Sequence, residues 1–461
     1  MQKALLYKIA IVLLLAMLIN IPLGMMSSLV SERQNRQAEV SADIANSYAE
    51  PQFIVGPLLA FPYTEVYTTR QETKDSDGSH TGTRERTHRR SSTLLLIPHN
   101  LTAAGSLATD IKKRSLFEVP IYTLDSTWQG TFEIPARLDI SRHSENGRII
   151  WGKPFLSLPV KDPRGFTSTP VLEMDGKLLA FEQGSGLEIA PNGVKSIQEI
   201  AALQRPGSHP FKLSFKLRGT SRIKVVPLAN SLKIALTSNW QHPGFNGRFL
   251  PSAESQHIGA DGFRADWEIS SLATNAQARL NQAENNPSGC KEAECLDSFE
   301  VRLVNPNNIY HQSDRALKYG FLFIGITFLA FFLFEMLKRL AIHPAQYTLV
   351  GLAQAMFFLL MLSLSEHIAF TTAYVIAASA CVALVGYYLG HVMQGAWRGA
   401  GFAALLGACY AALYGLLVSE DNSLLMGSLL LFILLAVAMI VTRKFDWYCI
   451  AAPNLGSKAT A

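Results

Sequence analysis

Glu366 and His367 stand side by side in LSEHIAF, with a long apolar run on either side. A carboxylate beside an imidazole is an acid next to a base, suited to holding a proton, sensing pH or docking a second surface. A plainer reading competes: a tight helical hairpin turns here, leaves both groups in water, and uses Ser365 to cap the next helix. Cys290 and Cys295, separated by KEAE, offer a second chemistry. An oxidising compartment favours a small-loop disulfide, with free thiols or metal binding as the alternatives. The spacing is not C-x-x-C, so a redox enzyme is not expected.

Hydrolytic arrangements are missing. G-x-S-x-G is absent, GSGLE at Gly184 having the wrong spacing for a nucleophile elbow, and so is H-E-x-x-H, which sets two imidazoles on one helical face for zinc. Ser221-Arg-Ile-Lys224 matches S-x-x-K, but in a strand-like stretch with no S-D-N or K-T-G, and reads as a chance match. With no Walker loop either, no catalytic residue, metal or cofactor is assigned. Glu335 ends an apolar run beside Lys338 and Arg339, which predicts an interfacial ion pair within one turn, and Gln354 reads as a hydrogen-bond group between helices.

These residues belong to a chain of two characters. Of 461 residues, 49% are hydrophobic and 17% charged, and the mean hydropathy is +0.16. That is too apolar for an ordinary soluble enzyme and too charged for a pure membrane bundle. The net charge of +5 fits loop charges that orient a membrane protein better than nucleic-acid binding, for which no motif exists. A spanning helix needs about 20 mostly apolar residues. Six segments qualify: Ile9 to Met26, Leu317 to Leu337, Tyr347 to Leu364, Ile368 to Leu389, Gly401 to Val418 and Leu424 to Val441.

The first segment resembles a signal peptide, but GMMSSLVSE has no clear A-x-A site, and Val40, Ile44 and Tyr48 continue one apolar face beyond it. It reads as an uncleaved anchor over residues 1–30. Lys3, Lys338, Arg339, Arg398, Arg443 and Lys444 fall on one side when six spans are counted, whereas SEHIAF and SEDNS hold neither Lys nor Arg. The positive-inside rule then places both termini in the cytoplasm of a multi-pass inner-membrane protein, exports residues 31–315, and leaves 316–442 as a five-helix bundle with 443–461 as a cytoplasmic tail.

The exported region reads as β. In FKLSFKLRG, Phe211, Leu213, Phe215 and Leu217 alternate with polar residues, and RIKVVP, LKIALTSNW, FRADWEIS, STLLLIP, LFEVPIYTL and GTFEIPA behave likewise. An antiparallel sandwich or open barrel is expected. Thr68 to Ser92, rich in ionisable residues, reads as a solvated hairpin loop or as a contact for anionic lipid headgroups, and Asn275 to Gly289 as helix-prone. Cys381, Cys409 and Cys449 read as small packing residues in or beside spans.

Taken together, VGPLLAFPYTEVY, LTSNWQHPGFNGRFLP, DRALKYGFLFIGITFLAFFLFE, HPAQYTLVG, LSEHIAF and VTRKFDWY resemble the CreD family of inner-membrane proteins across nearly the whole chain. The Cys290 to Cys295 insertion and the basic stretch after Tyr67 depart from that pattern. The resemblance implies a cell-envelope integrity protein, expressed under a two-component system and linked to colicin tolerance and to β-lactam or envelope stress. It supplies no catalytic residue, but it adds weight to Glu366 and His367 and brings in Trp240 and His242 of SNWQHP. The expected function is non-enzymatic: the β domain contacts an envelope component, a periplasmic protein or peptidoglycan, while the helices hold it in the lipid bilayer. The alternative is a transporter or lipid-handling protein. Oligomeric state has no signature in these patterns.

Overall fold

The computed structural model describes residues 2–443 apart from 75–80, 139, 141, 197–204, 286–294, 306–308, 339–341, 394 and 419–422. Its helices are α1 (Gln2–Leu18), α2 (Asn20–Ser47), α3 (Ala276–Asn285), α4 (Ile309–Lys338), α5 (Pro344–Ser365), α6 (Phe370–Val392), α7 (Ala396–Val418) and α8 (Ser423–Thr442). The first strands are β1 (Gln52–Val55), β2 (Leu58–Lys74), β3 (Thr81–Leu96), β4 (Asn100–Arg114), β5 (Phe117–Ile134) and β6 (Arg148–Trp151). Next come β7 (Phe155–Pro159), β8 (Val171–Met174), β9 (Lys177–Leu179), β10 (Phe181–Gln183), β11 (Gly193–Ser196) and β12 (Gly207–Thr220). The last are β13 (Arg222–Val226), β14 (Ser231–Ser238), β15 (Pro243–Gly247), β16 (His257–Gly259), β17 (Gly262–Ser270) and β18 (Phe299–Leu303). Two compact units result, Met1–Ala38 with Asn307–Ala461, and Glu39–Pro306.

In the β-rich unit the alternation of β12 is realised: Phe211, Leu213, Phe215 and Leu217 are buried, while Lys212, Lys216 and Arg218 are exposed. Three sheets form, ordered β16-β17-β14-β4-β5-β12-β8-β9, β10-β11-β7-β2-β3 with β6 also on β2, and β1-β13-β18-β15. These are open sheets sharing one apolar core, in which Phe61, Trp128, Leu158, Leu213, Trp267 and Phe299 all take part. The expected sandwich or barrel is therefore refined to open sheets, and β4·β14 and β1·β13 pair in parallel. LFEVPIYTL and GTFEIPA, expected as separate strands, are one long β5; Pro120 is tolerated there because β12 ends its pairing at Ile121↔Thr220. The stretch expected as a loop after Tyr67 is also corrected. Paired β2 and β3 run through it as far as Lys74↔Thr81, since alternating Thr and Arg suit an extended ribbon as well as a coil.

In the helical unit, five helices among the described residues are long and apolar enough to cross a membrane: Tyr7–Ser47, Ile309–Met336, Pro344–Ser365, Phe370–Val392 and Ala396–Val418. The sixth expected span falls on α8, whose apolar part is the shorter Leu425–Val437. Pro22 sits in the first turn of α2, and lacking an N–H it leaves one carbonyl of α1 without its helical partner. Helix approach depends on small residues. A Cβ on Gly351 would collide with Ile19, and one on Gly399 would stand 2.5 Å from the Gly390 Cα, so α5 receives the N-terminal helix and α6 receives α7 at near-backbone contact. Gln354 donates to Thr327 Oγ1 across α5 and α4 at 2.7 Å, as its position in a span predicts.

Candidate functional site

The strongest polar constellation in the helical unit was only half visible in the sequence. Glu335, 3% exposed near the end of α4, is ion-paired with Lys8 of α1. It also accepts from the Tyr347 hydroxyl (2.9 Å) and the Ile342 N–H (3.1 Å), while Lys8 donates to the Ile342 carbonyl (3.2 Å). The expected pairing of Glu335 with Lys338 and Arg339 lies outside the described residues and side chains; the partner seen comes from another helix. Local structure explains how Tyr347 arrives there. His343 and Gln346 form a reciprocal capping box with Pro344 in the first turn, so HPAQ starts α5 at a fixed point.

At the opposite ends of the same helices the pattern recurs. Glu366, the C-cap of α5 with its side chain 10% exposed, accepts from the Tyr310 hydroxyl of α4 (3.3 Å) and pairs with Arg33 Nε of α2 (3.3 Å). Each clasp thus joins a cation of the N-terminal helix, a glutamate and a tyrosine. Along an ideal helix the two sets lie roughly 28–37 Å apart, about a hydrocarbon core and part of its interfaces. The two residues of the original acid–base pair are separated by this arrangement. His367 is exposed, and its ring makes no hydrogen bond among the described residues. Ser365 does not cap α6: its hydroxyl donates to the Leu362 carbonyl, and the N-cap of α6 is Ala369, without a side-chain cap. The four-residue distance to the helix start is too long for a capping hydroxyl.

Trp240 and His242 lie in the turn from β14 to β15. The Trp240 indole N–H donates to the carbonyls of His242 and Val304, both at 3.1 Å, while its ring packs on the apolar core. Val304 N–H returns a bond to the His242 carbonyl (3.2 Å). His242 contributes its backbone to this lock, and its side chain is exposed. Cys295 is disulfide-bonded, and Cys290 lies outside the described residues. Ser221 occupies the β12–β13 turn at φ 59°, and Lys224 Nζ is 3.6 Å from Glu300.

The buried carboxylates of the β-rich unit are held by backbone donors. Burial pushes the Glu284 carboxyl above its ordinary range although it accepts from Glu188 and Ile189 N–H groups. Burial acts the same way on Glu65, but there the N–H groups of His143 and Ser144, with the charge of Arg90, prevail and hold it below that range. Among the described residues no three His, Cys, Asp or Glu side chains converge as a metal site. The two clasps neutralise charge at both ends of a helix trio. The family profile described as "Inner membrane protein CreD" matches residues 4–448. The inner membrane protein CreD of Escherichia coli (strain K12) is 35% identical over 441 residues, covering 95% of this chain and 93% of that protein.

Proposed function

The chain belongs to the CreD family of inner membrane proteins, and from that premise we propose that it is a non-enzymatic, multi-pass envelope protein serving cell-envelope integrity and stress tolerance. In this reading the β-rich unit is exported and contacts an envelope component, while the helices hold it at the membrane with both termini in the cytoplasm. The observation that carries it is the pair of clasps, Lys8–Glu335–Tyr347 and Arg33–Glu366–Tyr310, about one membrane thickness apart. Ionisable groups are costly in hydrocarbon unless paired, so two such sets bounding apolar helices fit the two membrane faces. The Lys8 end is also the end of Lys3 and Lys338, which supports its assignment to the cytoplasmic face.

A second reading has one observation in its favour. A largely apolar cavity of about 420 Å³ lies among α4, α7 and α8, lined by Phe321, Leu329, Leu333, Phe402, Leu405 and Leu431. It suits an acyl chain, which supports a lipid-handling role, and a lipid copurifying stoichiometrically would favour that role over a scaffold.

Complementation of a strain lacking the gene, scored by envelope permeability at matched protein abundance, tests the first reading. Glu366→Gln weakens the clasp and is expected to rescue poorly, whereas His367→Ala is expected to rescue fully. Equal rescue by both variants would remove Glu366 from the account.

A further inference from the structure

The β2–β3 hairpin leaves the body of its sheet. β7 pairs with β2 only at Leu58–Ala60 and β6 only at Tyr63–Val66, so from Thr68 to Lys74 and from Thr81 to Thr87 the two strands have only each other among the described residues. This ribbon is roughly 20 Å long. A lone two-stranded ribbon is marginal in water, which calls for a surface that accepts it.

The root of the ribbon carries a distinctive set of side chains. Register places Arg86 opposite Thr69, His88 opposite Tyr67, Arg90 opposite Glu65 and Trp151 opposite Tyr63, so all of these share one face. The Tyr67 ring lies between His88 (5.3 Å, stacked) and His143 (5.2 Å, tilted), and Arg90 reaches within 3.4 Å of the His143 ring. Tyr63 packs on Trp151 at 5.6 Å, and Trp151 remains 43% exposed. Arg86 and Arg90 are exposed, and Arg90, besides touching the His143 ring, acts electrostatically on the Glu65 opposite it. Glu65, the carboxylate that the register places among these residues, is 3% exposed and turned inward, accepting the His143 and Ser144 N–H groups at 3.0–3.1 Å.

We propose that this face of the hairpin docks on an anionic phospholipid surface. Arginines attract the phosphates, and Trp151, Tyr63 and Tyr67 supply the amphipathic rings that settle at the headgroup level. Exposed guanidinium groups beside half-exposed aromatic rings, with Glu65 covered, match a charged interface better than an uncharged partner. The proposal deepens the reading of an envelope-contacting β unit, and it depends on that reading only for which membrane face is met in the cell.

The test uses the full chain in phosphatidylcholine nanodiscs, mixed with phosphatidylglycerol vesicles or pure phosphatidylcholine vesicles and separated by flotation. Phosphatidylglycerol vesicles are expected to carry the protein up and neutral vesicles to leave it behind. Arg86→Gln/Arg90→Gln is expected to weaken capture roughly tenfold, since each basic group near an anionic surface contributes a severalfold factor. Lys177→Gln/Lys212→Gln removes the same charge from exposed positions on another sheet and is expected to bind as wild type. Unchanged capture of the arginine variant, equal capture by neutral vesicles, or full competition by inorganic phosphate would overturn the proposal. The vesicle readout is independent of rescue in cells, so its failure and that of the envelope reading are distinguishable.

Discussion

At the scale of single residues, Glu335 and Glu366 act as acceptors that draw helices together. The sequence marks both as acids at the ends of apolar runs, and for Glu335 it points to Lys338 and Arg339 because only near neighbours are visible there. Lys8, 327 positions away, is a partner that local spacing could not show. Charge type was legible and pairing was not, since pairing follows from helix order rather than from local spacing. His367 is exposed, and Trp240 with the His242 backbone takes part in a hydrogen-bonded turn. Lys8→Met leaves the Glu335 carboxylate buried without its cation, a loss of about 3–5 kcal/mol. Glu335→Gln is milder, because Lys8 is partly exposed and can turn toward the interface. Thermal unfolding in detergent is expected to rank Lys8→Met below Glu335→Gln, with Lys8→Met/Glu335→Gln recovering part of the loss. Strict additivity of the two would show that they do not interact.

At the scale of elements, alternation identified β12, β13, β14 and β17, and hydropathy located α4 to α7. Periodicity carries no partner information, so the parallel pairs β4·β14 and β1·β13 and the length of β5 emerged only in three dimensions. The ribbon after Tyr67 was missed because Arg, Thr and His alternate there without an apolar face. Helix packing depends on positions that hydropathy scores poorly. Gly399→Val would force α7 away from Gly390, whereas Gly407 on the same helix faces open space. Overpacking of this kind costs about 1–3 kcal/mol. Size-exclusion of detergent-solubilised protein is expected to show Gly399→Val losing its monodisperse peak while Gly407→Val keeps it; identical profiles would contradict close α6–α7 contact.

At the scale of the whole molecule, apolar helices flank a β-rich insert in the sequence, a plan legible from charge and hydropathy alone, and the CreD family match runs along nearly the entire chain. What the sequence left open was how the N-terminal helix belongs to the rest, and Ile19 against Gly351 with a clasp at either end answers it. Both clasps draw their cation from the N-terminal helices, Lys8 from α1 and Arg33 from α2. The central claim is that Glu39–Pro306 is carried across the membrane. Leu272, 97% exposed in that unit, is the place to ask. With Leu272→Cys in the full chain, a membrane-impermeant maleimide applied to intact spheroplasts is expected to label the protein at once. Labelling that occurs only after lysis would put the β-rich unit in the cytoplasm and contradict the account.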